Sequence, residues 1–425
     1  MHTFYLTNNL GGGGTNVSRY SVYQGLLNNT NQIGLLLNYY YLSTDIAKTS
    51  SFDGDILRTY NDYKSISAFL DVVRQHFIEK ERIVTNRAID TTTLPIKSYL
   101  LDSGIGNILR DLISNDQLNT LNINNLIEPY HKYGENLKFD ILIALDYALK
   151  YTYKKGERLD ENLKIIWEEL ANNQKENLLL IEETVKHLNK NQYSHKTYAP
   201  LHGFNFDSFL KYGQGIKDIE TLHSYEFDGY ALGGIANANM LKNDIWQVPE
   251  GLNKNQKSTW IVSNLCKQTK QQFPKKPLHV LGAGSIYAIP FLTKLGADSS
   301  DCHSPWRRAS DGNSKILVPL FDKDLNFFNN SDIFEYKKIA DLDKDSYAFS
   351  LPLSLTIEEL KELYISENRE DYYLAQLVIF FHAINQYDLL NMFMQKNPGD
   401  YIDKLCNTPD IRFNEEYKTL KKILL

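Results

Sequence analysis

The chain has 425 residues, of which 42% are hydrophobic and 23% charged, so it can bury the core of one large domain or two ordinary ones. The formal net charge of −6 excludes a uniformly basic nucleic-acid binder, and any phosphate contact must come from a local basic patch. Three cysteines, Cys266, Cys302 and Cys406, lie far apart in sequence, which excludes a disulfide framework and a CxxC metal site.

The N-terminal stretch MHTFYLTNNLGGGG has no basic segment followed by an apolar one. No run of about 18 apolar residues occurs along the chain. We therefore expect a cytoplasmic protein that does not contact a membrane. The glycines at 11–14 lack the Lys-Ser/Thr of a P-loop and the spacing of a dinucleotide fingerprint, which favours a flexible turn over a phosphate cradle.

Six short apolar segments each end at a polar residue or a glycine. They are PIKSYLL (95–101) before Asp102, FDILIAL (139–145) before Asp146, TYAPL (197–201) before His202, FDGYAL (227–232) before Gly233 and Gly234, PLHVL (277–281) before Gly282, and the segment that ends at Asp301. Helical patterns lie between them, at 160–191 and 258–272. This order predicts an α/β fold with parallel strands, either a (β/α)8 barrel or an open doubly wound sheet. In both folds polar residues at strand ends collect at one site, which favours an enzyme.

From about residue 330 the pattern changes to a polar stretch, and two helices are predicted over 356–395. We therefore divide the chain into a barrel or sheet domain of residues 1–335 and a helical C-terminal region of residues 336–425. Residues 1–90 contain no identifiable motif, although the first strands of a barrel must lie there.

The most specific stretch is DCHSPWRRASDG at 301–312. On its own it is best read as a turn with two solvated arginines. Taken in order with YLLDSG (99–104), FDILIALD (139–146), FDGYALGGIA (227–236) and HVLGAG (279–284), it resembles the tRNA-guanine transglycosylase superfamily over roughly residues 95 to 320. Asp301, Cys302, Pro305, Arg307 and Gly312 match the family's Asp-Cys-x-x-Pro-x-Arg-x-x-x-x-Gly.

The resemblance implies a (β/α)8 TIM barrel with a helical C-terminal appendage that exchanges guanine in a nucleic acid for a 7-deazaguanine, with no cofactor. It implies that Asp301 is the nucleophile that holds the sugar covalently, and that Asp102 moves protons on the leaving and incoming bases. The base-binding residues that it implies are Ser103, Asp146, His202, Gly203, Gly233, Gly234 and Leu281. Arg307 and Arg308 are expected to contact the nucleic-acid backbone.

The residue types fit this chemistry, because carboxylates accept from the N1–H and N2–H donors of guanine and the backbone N–H groups at Gly233 and Gly234 suit O6. Structural alternatives remain open at this stage. Asp102 also fits an Asx turn before Ser103, the glycine pair fits a packing requirement at a barrel corner, and His202 fits a hydrogen-bonded histidine at a strand end.

Several positions depart from the family pattern. His202 stands where the family usually has Gln, Gly106 where the tRNA enzymes have a stacking aromatic residue, and Leu281 where they have Met. Tyr287 is our suggested replacement for the stacking residue. The family's CxCxxC…His zinc site has no counterpart, because residues 343–354 contain no cysteine, so we predict no metal and expect His382 to be a packed helix residue.

These departures favour the branch of the superfamily that inserts a preQ0-like deazapurine into DNA. The alternatives are the same exchange on tRNA, as in queuosine or archaeosine formation, a non-catalytic accessory subunit, and a glycoside hydrolase barrel. The expected partners are DNA, or tRNA in the alternative, and a free 7-deazaguanine base. A partner protein or a homodimer stays open.

Overall fold

The computed structural model describes residues 2–8, 33–39, 65, 68, 96–104, 124–147, 163–234, 246–310, 315–328, 334–342, 349–408 and 411–425. Three features of the sequence, the glycines at 11–14, Gly106 and Gly312, lie outside these ranges.

Eight parallel strands form a closed barrel in chain order. The strands are β1 (Thr3–Asn8), β2 (Ile33–Asn38), β3 (Ile96–Asp102), β4 (Ile141–Ile143), β5 (Lys196–Leu201), β6 (Gly229–Leu232), β7 (Leu278–Val280) and β8 (Ser299–Cys302). The barrel closes where β1 pairs with β8, with Tyr5 opposite Asp301. The prediction of a (β/α)8 barrel is thus confirmed, and the open sheet is excluded.

Helices lie between the strands from β3 onward. Those described up to β8 are α1 (Asn124–Asn136), α2 (Leu163–Lys190), α3 (Phe206–His223), α4 (Lys254–Gln272) and α5 (Ile289–Lys294). Two helix starts have a local cause, because Asn205 and Asn253 each accept a hydrogen bond from the third helical N–H and form a capping box. The periodic segments at 160–191 and 258–272 therefore correspond to α2 and α4.

After β8 the chain forms a short helix, a small antiparallel sheet and further helices. These elements are α6 (Ser304–Ser310), β9 (Lys315–Leu317), β10 (Tyr336–Lys338), two 3-10 turns (Ile339–Asp341 and Pro352–Ser354), α7 (Ile357–Ile365), α8 (Arg369–Lys396), α9 (Tyr401–Cys406) and α10 (Ile411–Leu424). The helical C-terminal region is confirmed. The division at residue 335 stays a prediction, and β9 and β10 pair across it.

The C-terminal helices share a buried core with the outside of the barrel. The ring of Tyr387 on α8 stacks on Phe4 of β1 at 4.2 Å between centroids. His382 on the same helix is fully buried, and its Nε2 lies 2.9 Å from the carbonyl oxygen of Leu317. This histidine is therefore a packed helix residue, as expected. Among the described helices, none combines the length and apolar character that crossing a bilayer requires.

Alternation along the strands separates the interior of the barrel from its exterior. One apolar layer inside the barrel includes Tyr5, Leu36, Leu100, Ile143, Tyr198 and Ala231. Two positions further toward the carboxyl ends of β1, β2 and β3 the inward residues are Thr7, Asn38 and Asp102. The interior thus changes from apolar to polar toward the carboxyl ends of its strands.

Candidate active site

Asp301 lies at the carboxyl end of β8 and is 3% exposed. Three donors surround its carboxyl group. The Gly282 N–H donates to Oδ1 over 2.9 Å, His279 Nε2 lies 3.2 Å from the same oxygen, and the Thr7 hydroxyl donates to Oδ2. Hydrogen bonds of this kind stabilise a carboxylate that is removed from water. Both lone pairs of Oδ1 are engaged, whereas Oδ2 accepts one hydrogen bond and retains a lone pair.

Asp102 lies at the end of β3, and Asn38 Nδ2 donates to its Oδ2 over 3.3 Å. Burial, followed by the negative charge of Asp301, raises the pKa of the Asp102 carboxyl from 3.8 to about 6, against the opposing effect of the Gly104 and Ser103 N–H groups. The backbone here is specialised, because Gly104 has φ +63° and an added Cβ would lie 1.8 Å from Asn38 Oδ1. Only glycine fits this turn.

Asp146 follows β4, and its side chain is 25% exposed. Burial and the nearby charge of Asp102 raise its pKa from 3.8 to about 7. Asp102 and Asp146 therefore lie close enough for their charges to interact, and each carboxyl group keeps its proton to a higher pH than an exposed aspartate does. Between the two strands, the Tyr130 hydroxyl lies 2.8 Å from the carbonyl oxygens of Leu101 and Ile143 and so fixes the spacing of the two carboxyl-bearing strand ends.

His202 lies beside Asp146, with Nε2 3.8 Å from Asp146 Oδ2, which is too long for a hydrogen bond. The imidazole is 3% exposed and stacks on Tyr212 at 4.5 Å between centroids. Among the described residues, neither ring nitrogen has a hydrogen-bond partner. Burial lowers the pKa of His202 to about 4, so the ring is neutral at pH 7 and presents one donor and one acceptor. The sequence alternative of a hydrogen-bonded strand-end histidine does not hold for this ring.

The remaining base-site residues surround these groups. Ser103 is buried next to Asp102. Gly203 is required for packing, because an added Cβ would lie 2.7 Å from Phe209 Cα. The Gly233 N–H donates to the Leu201 carbonyl over 2.8 Å, so it belongs to the barrel's own hydrogen bonding. Gly234, which follows it, is exposed with φ +74°.

Leu281 is half-buried and packs on the apolar layer inside the barrel. Its N–H donates to the Leu232 carbonyl over 2.9 Å, and a Cβ added at Gly233 would lie 3.3 Å from Leu281 Cδ1. Leu281 and the glycine pair therefore lie side by side at the ends of β7 and β6.

Arg307 and Arg308 lie on α6, which begins directly after β8, and both are exposed. The Arg308 guanidinium lies 5.6 Å from the centroid of the Tyr336 ring. The last residue of β8, Cys302, is buried with Sγ 3.4 Å from the Tyr387 hydroxyl, so it packs as a core residue. The two arginines are therefore close in sequence and in the fold to the end of the strand that bears Asp301.

The suggestion that Tyr287 replaces the stacking aromatic residue is wrong. Tyr287 is 7% exposed and packs edge-on against Tyr417, with ring centroids 5.1 Å apart. Its hydroxyl lies 3.4 Å from Glu416 Oε2. Tyr287 is thus part of the packing between the barrel and α10.

Four residues that contact Asp301 or Asp102 were not predicted as site residues, namely Thr7, Asn38, His279 and Gly282, of which only Gly282 was noted, as the end of an apolar segment. Asn38 had a detectable signal, because it ends the apolar run IGLLL as Asp102 ends its own run. His279 lies two positions before Leu281, which places it on the same inward face of β7. Thr7 lies in TFYLT, whose alternation is too short to assign from sequence alone.

The zinc site of the family does not fit this chain. The three cysteines of this chain are all buried and lie on separate helices or strands. In the part of the chain that the structure describes, no group of three or more His, Cys, Asp or Glu residues is arranged to hold a metal ion.

The fold and the site define a (β/α)8 barrel whose acidic pocket lies at the carboxyl ends of the strands, where barrel enzymes carry out their chemistry. Residues 126–317 match the family model described as TGT, queuine tRNA-ribosyltransferase. This match supports membership in the tRNA-guanine transglycosylase superfamily, a family of pentosyltransferases whose members act on guanine in nucleic acids. The comparison with curated proteins gives no match.

Proposed function

We propose that the protein is a base-exchange transglycosylase that replaces guanine in DNA with a preQ0-like 7-deazaguanine through a covalent link between Asp301 and the sugar. The observation that carries the proposal is the contrast between two neighbouring carboxyl groups. Asp301 is held by three donors, which suits an ionised nucleophile, whereas the pKa of Asp102 is raised to about 6, which suits a proton carrier.

In the first step Asp301 Oδ2, the oxygen with a spare lone pair, attacks C1′ of the target nucleotide. The bond from C1′ to the guanine nitrogen breaks, and the electron pair leaves with the base. Asp102 in its protonated form gives a proton to the departing guanine. The sugar is then esterified to Asp301, as in a retaining glycosidase.

In the second step the incoming base gives its ring proton to the Asp102 carboxylate and attacks C1′ through the same nitrogen. The bond between C1′ and Asp301 breaks, and the electron pair returns to the carboxylate. Asp301 is therefore regenerated and Asp102 is protonated again. No cofactor is consumed in either step.

The guanine-type base is read by polar groups next to these two residues. Asp146 accepts hydrogen bonds from the N–H donors of the base edge, and His202 offers a donor to O6 from a ring that has no partner among the described residues. The target nucleotide has to leave the stack to reach the floor of the barrel mouth. Arg307 and Arg308 then contact the phosphates on either side.

DNA is favoured as substrate because the chain lacks the zinc site that the resemblance associates with tRNA-acting members, and because Gly106 and Leu281 alter the base pocket. The second candidate is the same exchange on tRNA. It is favoured by the description of the matching family model, which names a tRNA-ribosyltransferase.

The experiment that tests the proposal is the exchange of radiolabelled guanine into duplex DNA and, in parallel, into bulk tRNA. The variants are Asp301→Asn and, as a matched control, Asp298→Asn, which changes an aspartate at the opposite end of β8. We expect label in DNA with the native protein and with Asp298→Asn, and none with Asp301→Asn of unchanged thermal stability.

Label in tRNA alone would replace DNA by the second candidate. An active Asp301→Asn variant would contradict the assignment of the nucleophile. Absence of label in both nucleic acids with the native protein would contradict the proposed activity for this chain alone and would favour the accessory-subunit alternative.

A further inference from the structure

We propose that Ser299 and His279 act as a positioning pair for Asp301, in which the histidine holds Asp301 Oδ1 through Nε2–H and the serine hydroxyl stabilises that tautomer by donating to Nδ1. The inference rests on the proposed role of Asp301 as nucleophile. It assigns two residues that the sequence comparison with the family did not mark as functional.

The three side chains form a continuous hydrogen-bonded chain. The Ser299 Oγ lies 2.9 Å from His279 Nδ1, and His279 Nε2 lies 3.2 Å from Asp301 Oδ1. A carboxylate only accepts hydrogen bonds, so Nε2 must carry the proton. With the imidazole neutral, Nδ1 is an acceptor and the serine hydroxyl is its donor. The charge on Asp301 fixes the direction of the first hydrogen bond, and the neutral form of the ring fixes the direction of the second.

The surroundings fix this chain in place. His279 on β7 is fully buried and lies opposite Ser299 in the register between β7 and β8. The ring of Tyr5 meets the imidazole edge-on, with centroids 5.3 Å apart. A buried histidine that is confined on these sides keeps one orientation, so Asp301 at Nε2 selects its tautomer and the hydroxyl that faces Nδ1 stabilises it.

The two carboxyl oxygens of Asp301 therefore differ in how many hydrogen bonds they accept. His279 and Gly282 occupy Oδ1, which leaves Oδ2 with the single hydrogen bond from Thr7. If the imidazole proton moved to Nδ1, the lone pair of Nε2 would face the lone pairs of Oδ1 and the carboxylate would rotate. Ser299 prevents this by donating to Nδ1.

A matched control lies one residue further along the same strand. Ser300 is fully buried, and its Oγ lies 2.8 Å from Nε2 of another buried histidine, His2. Successive residues of a strand point to opposite faces, so the Ser300–His2 pair lies outside the barrel mouth. Ser299→Ala and Ser300→Ala thus each remove one buried serine–histidine hydrogen bond, and only the former touches the pair that positions Asp301.

In the exchange assay we expect Ser299→Ala to lower kcat about tenfold or more while KM for the nucleic acid stays unchanged, since a wrong tautomer disables such a chain without altering substrate contacts. Ser300→Ala is expected to keep kcat within about twofold of the native value. His279→Gln, whose amide N–H can replace Nε2–H without a tautomer, should retain more activity than His279→Leu. Equal kcat for native protein and Ser299→Ala would overturn the proposal.

A second measurement does not need enzymatic activity and so separates this inference from the proposed function. In protein labelled with ¹⁵N-histidine, the His279 signals are identified by their loss in His279→Gln. We expect the Nε2–H tautomer in the native protein and in Ser300→Ala, and a mixed or Nδ1–H tautomer in Ser299→Ala. An unchanged tautomer in Ser299→Ala would overturn the proposal even if the native protein exchanges bases. The expected change in a protein without exchange activity would preserve the pair and reject the function.

Discussion

The hydroxyl of Thr7 donates a hydrogen bond to Oδ2 of Asp301, and this contact joins the first strand of the barrel to the last. It spans the seam where the barrel closes, because β1 and β8 pair there in register. The proposed nucleophile therefore depends on a residue from the segment in which the sequence showed no motif.

Thr7→Val removes the hydroxyl and keeps the shape of the side chain. We expect kcat for base exchange to fall about tenfold to a hundredfold, because the attacking oxygen loses the donor that orients it. Thr7→Ser retains the donor and should keep kcat within a few fold of the native value. Steady-state kinetics on both variants would measure this, and equal rates for Thr7→Val and the native protein would show that Oδ2 is oriented without Thr7.

The sequence predicted those parts of the barrel in which an apolar run is followed by a polar or ionisable residue. Asp102, Asp146 and His202 end such runs, whereas Asp301 follows small and polar residues. The structure brings the first three together next to Asp301. Local pattern suffices here because parallel strands of a barrel place all their carboxyl ends on one face.

Tertiary packing determined what the sequence did not reveal. Tyr287 looked available as a stacking residue, yet α10 covers it with Tyr417. The N–H of Gly233 looked available for O6, yet the register of β5 and β6 pairs it with Leu201. Burial raises the pKa of Asp102, and the charge of Asp301, which lies on a different strand, raises it further; no spacing along the chain encodes either the burial or that proximity.

Asp146 should make stability depend on pH. Its pKa is about 7 in the folded protein and close to about 3.9 in the unfolded chain, so the folded state binds the proton more tightly. The free energy of unfolding therefore falls as pH rises from about 4 to about 7 and stays low above that range. Asp146→Asn removes this penalty and is expected to raise the free energy of unfolding by up to about 4 kcal/mol at pH 8 and by little at pH 4.

Urea unfolding at the two pH values measures this difference. Asp218→Asn on α3 is the control, because Asp218 is exposed and accepts a hydrogen bond from Gln214 on the surface. It should alter stability little at either pH. An Asp146→Asn variant that is no more stable than the native protein at pH 8 would mean that the carboxylate is solvated in the free protein.

His202 should stabilise a bound base, and it should lower the free energy of unfolding of the protein without a bound base. Both of its ring nitrogens are buried without a partner among the described residues, and such groups cost free energy until a ligand satisfies them. His202→Phe keeps the stacking on Tyr212 and is expected to raise the free energy of unfolding by about 1 kcal/mol. KM for the incoming base should rise about tenfold, which corresponds to one lost hydrogen bond.

Denaturant unfolding and exchange kinetics on the same preparations test the two halves of this prediction. His202→Gln is the conservative variant, because the amide offers a donor and an acceptor. It should keep KM closer to the native value than His202→Phe. A His202→Phe variant with unchanged KM would remove His202 from the base-binding residues.

Gly104 should be irreplaceable for two separate reasons, and a second glycine allows them to be distinguished. Gly104 has φ +63°, and an added Cβ would lie 1.8 Å from Asn38 Oδ1. Gly251 has φ +79°, and a Cβ added there would have no neighbouring atom within 4 Å. Gly251→Ala is therefore expected to cost only the left-handed strain, about 1 kcal/mol. Gly104→Ala adds the clash with Asn38 and should lower the free energy of unfolding by about 3 kcal/mol or more.

Gly104→Ala should also lower the rate of base exchange, because Asn38 holds Asp102 through its amide. We expect Gly104→Ala to lose base exchange even at a temperature where it is folded, while Gly251→Ala keeps the native rate. Urea unfolding and the exchange assay, run on both variants, provide the comparison. Equal losses of stability in the two variants would mean that Asn38 moves aside at no cost, and that the tight contact between the ends of β2 and β3 is not what holds Asp102 in place.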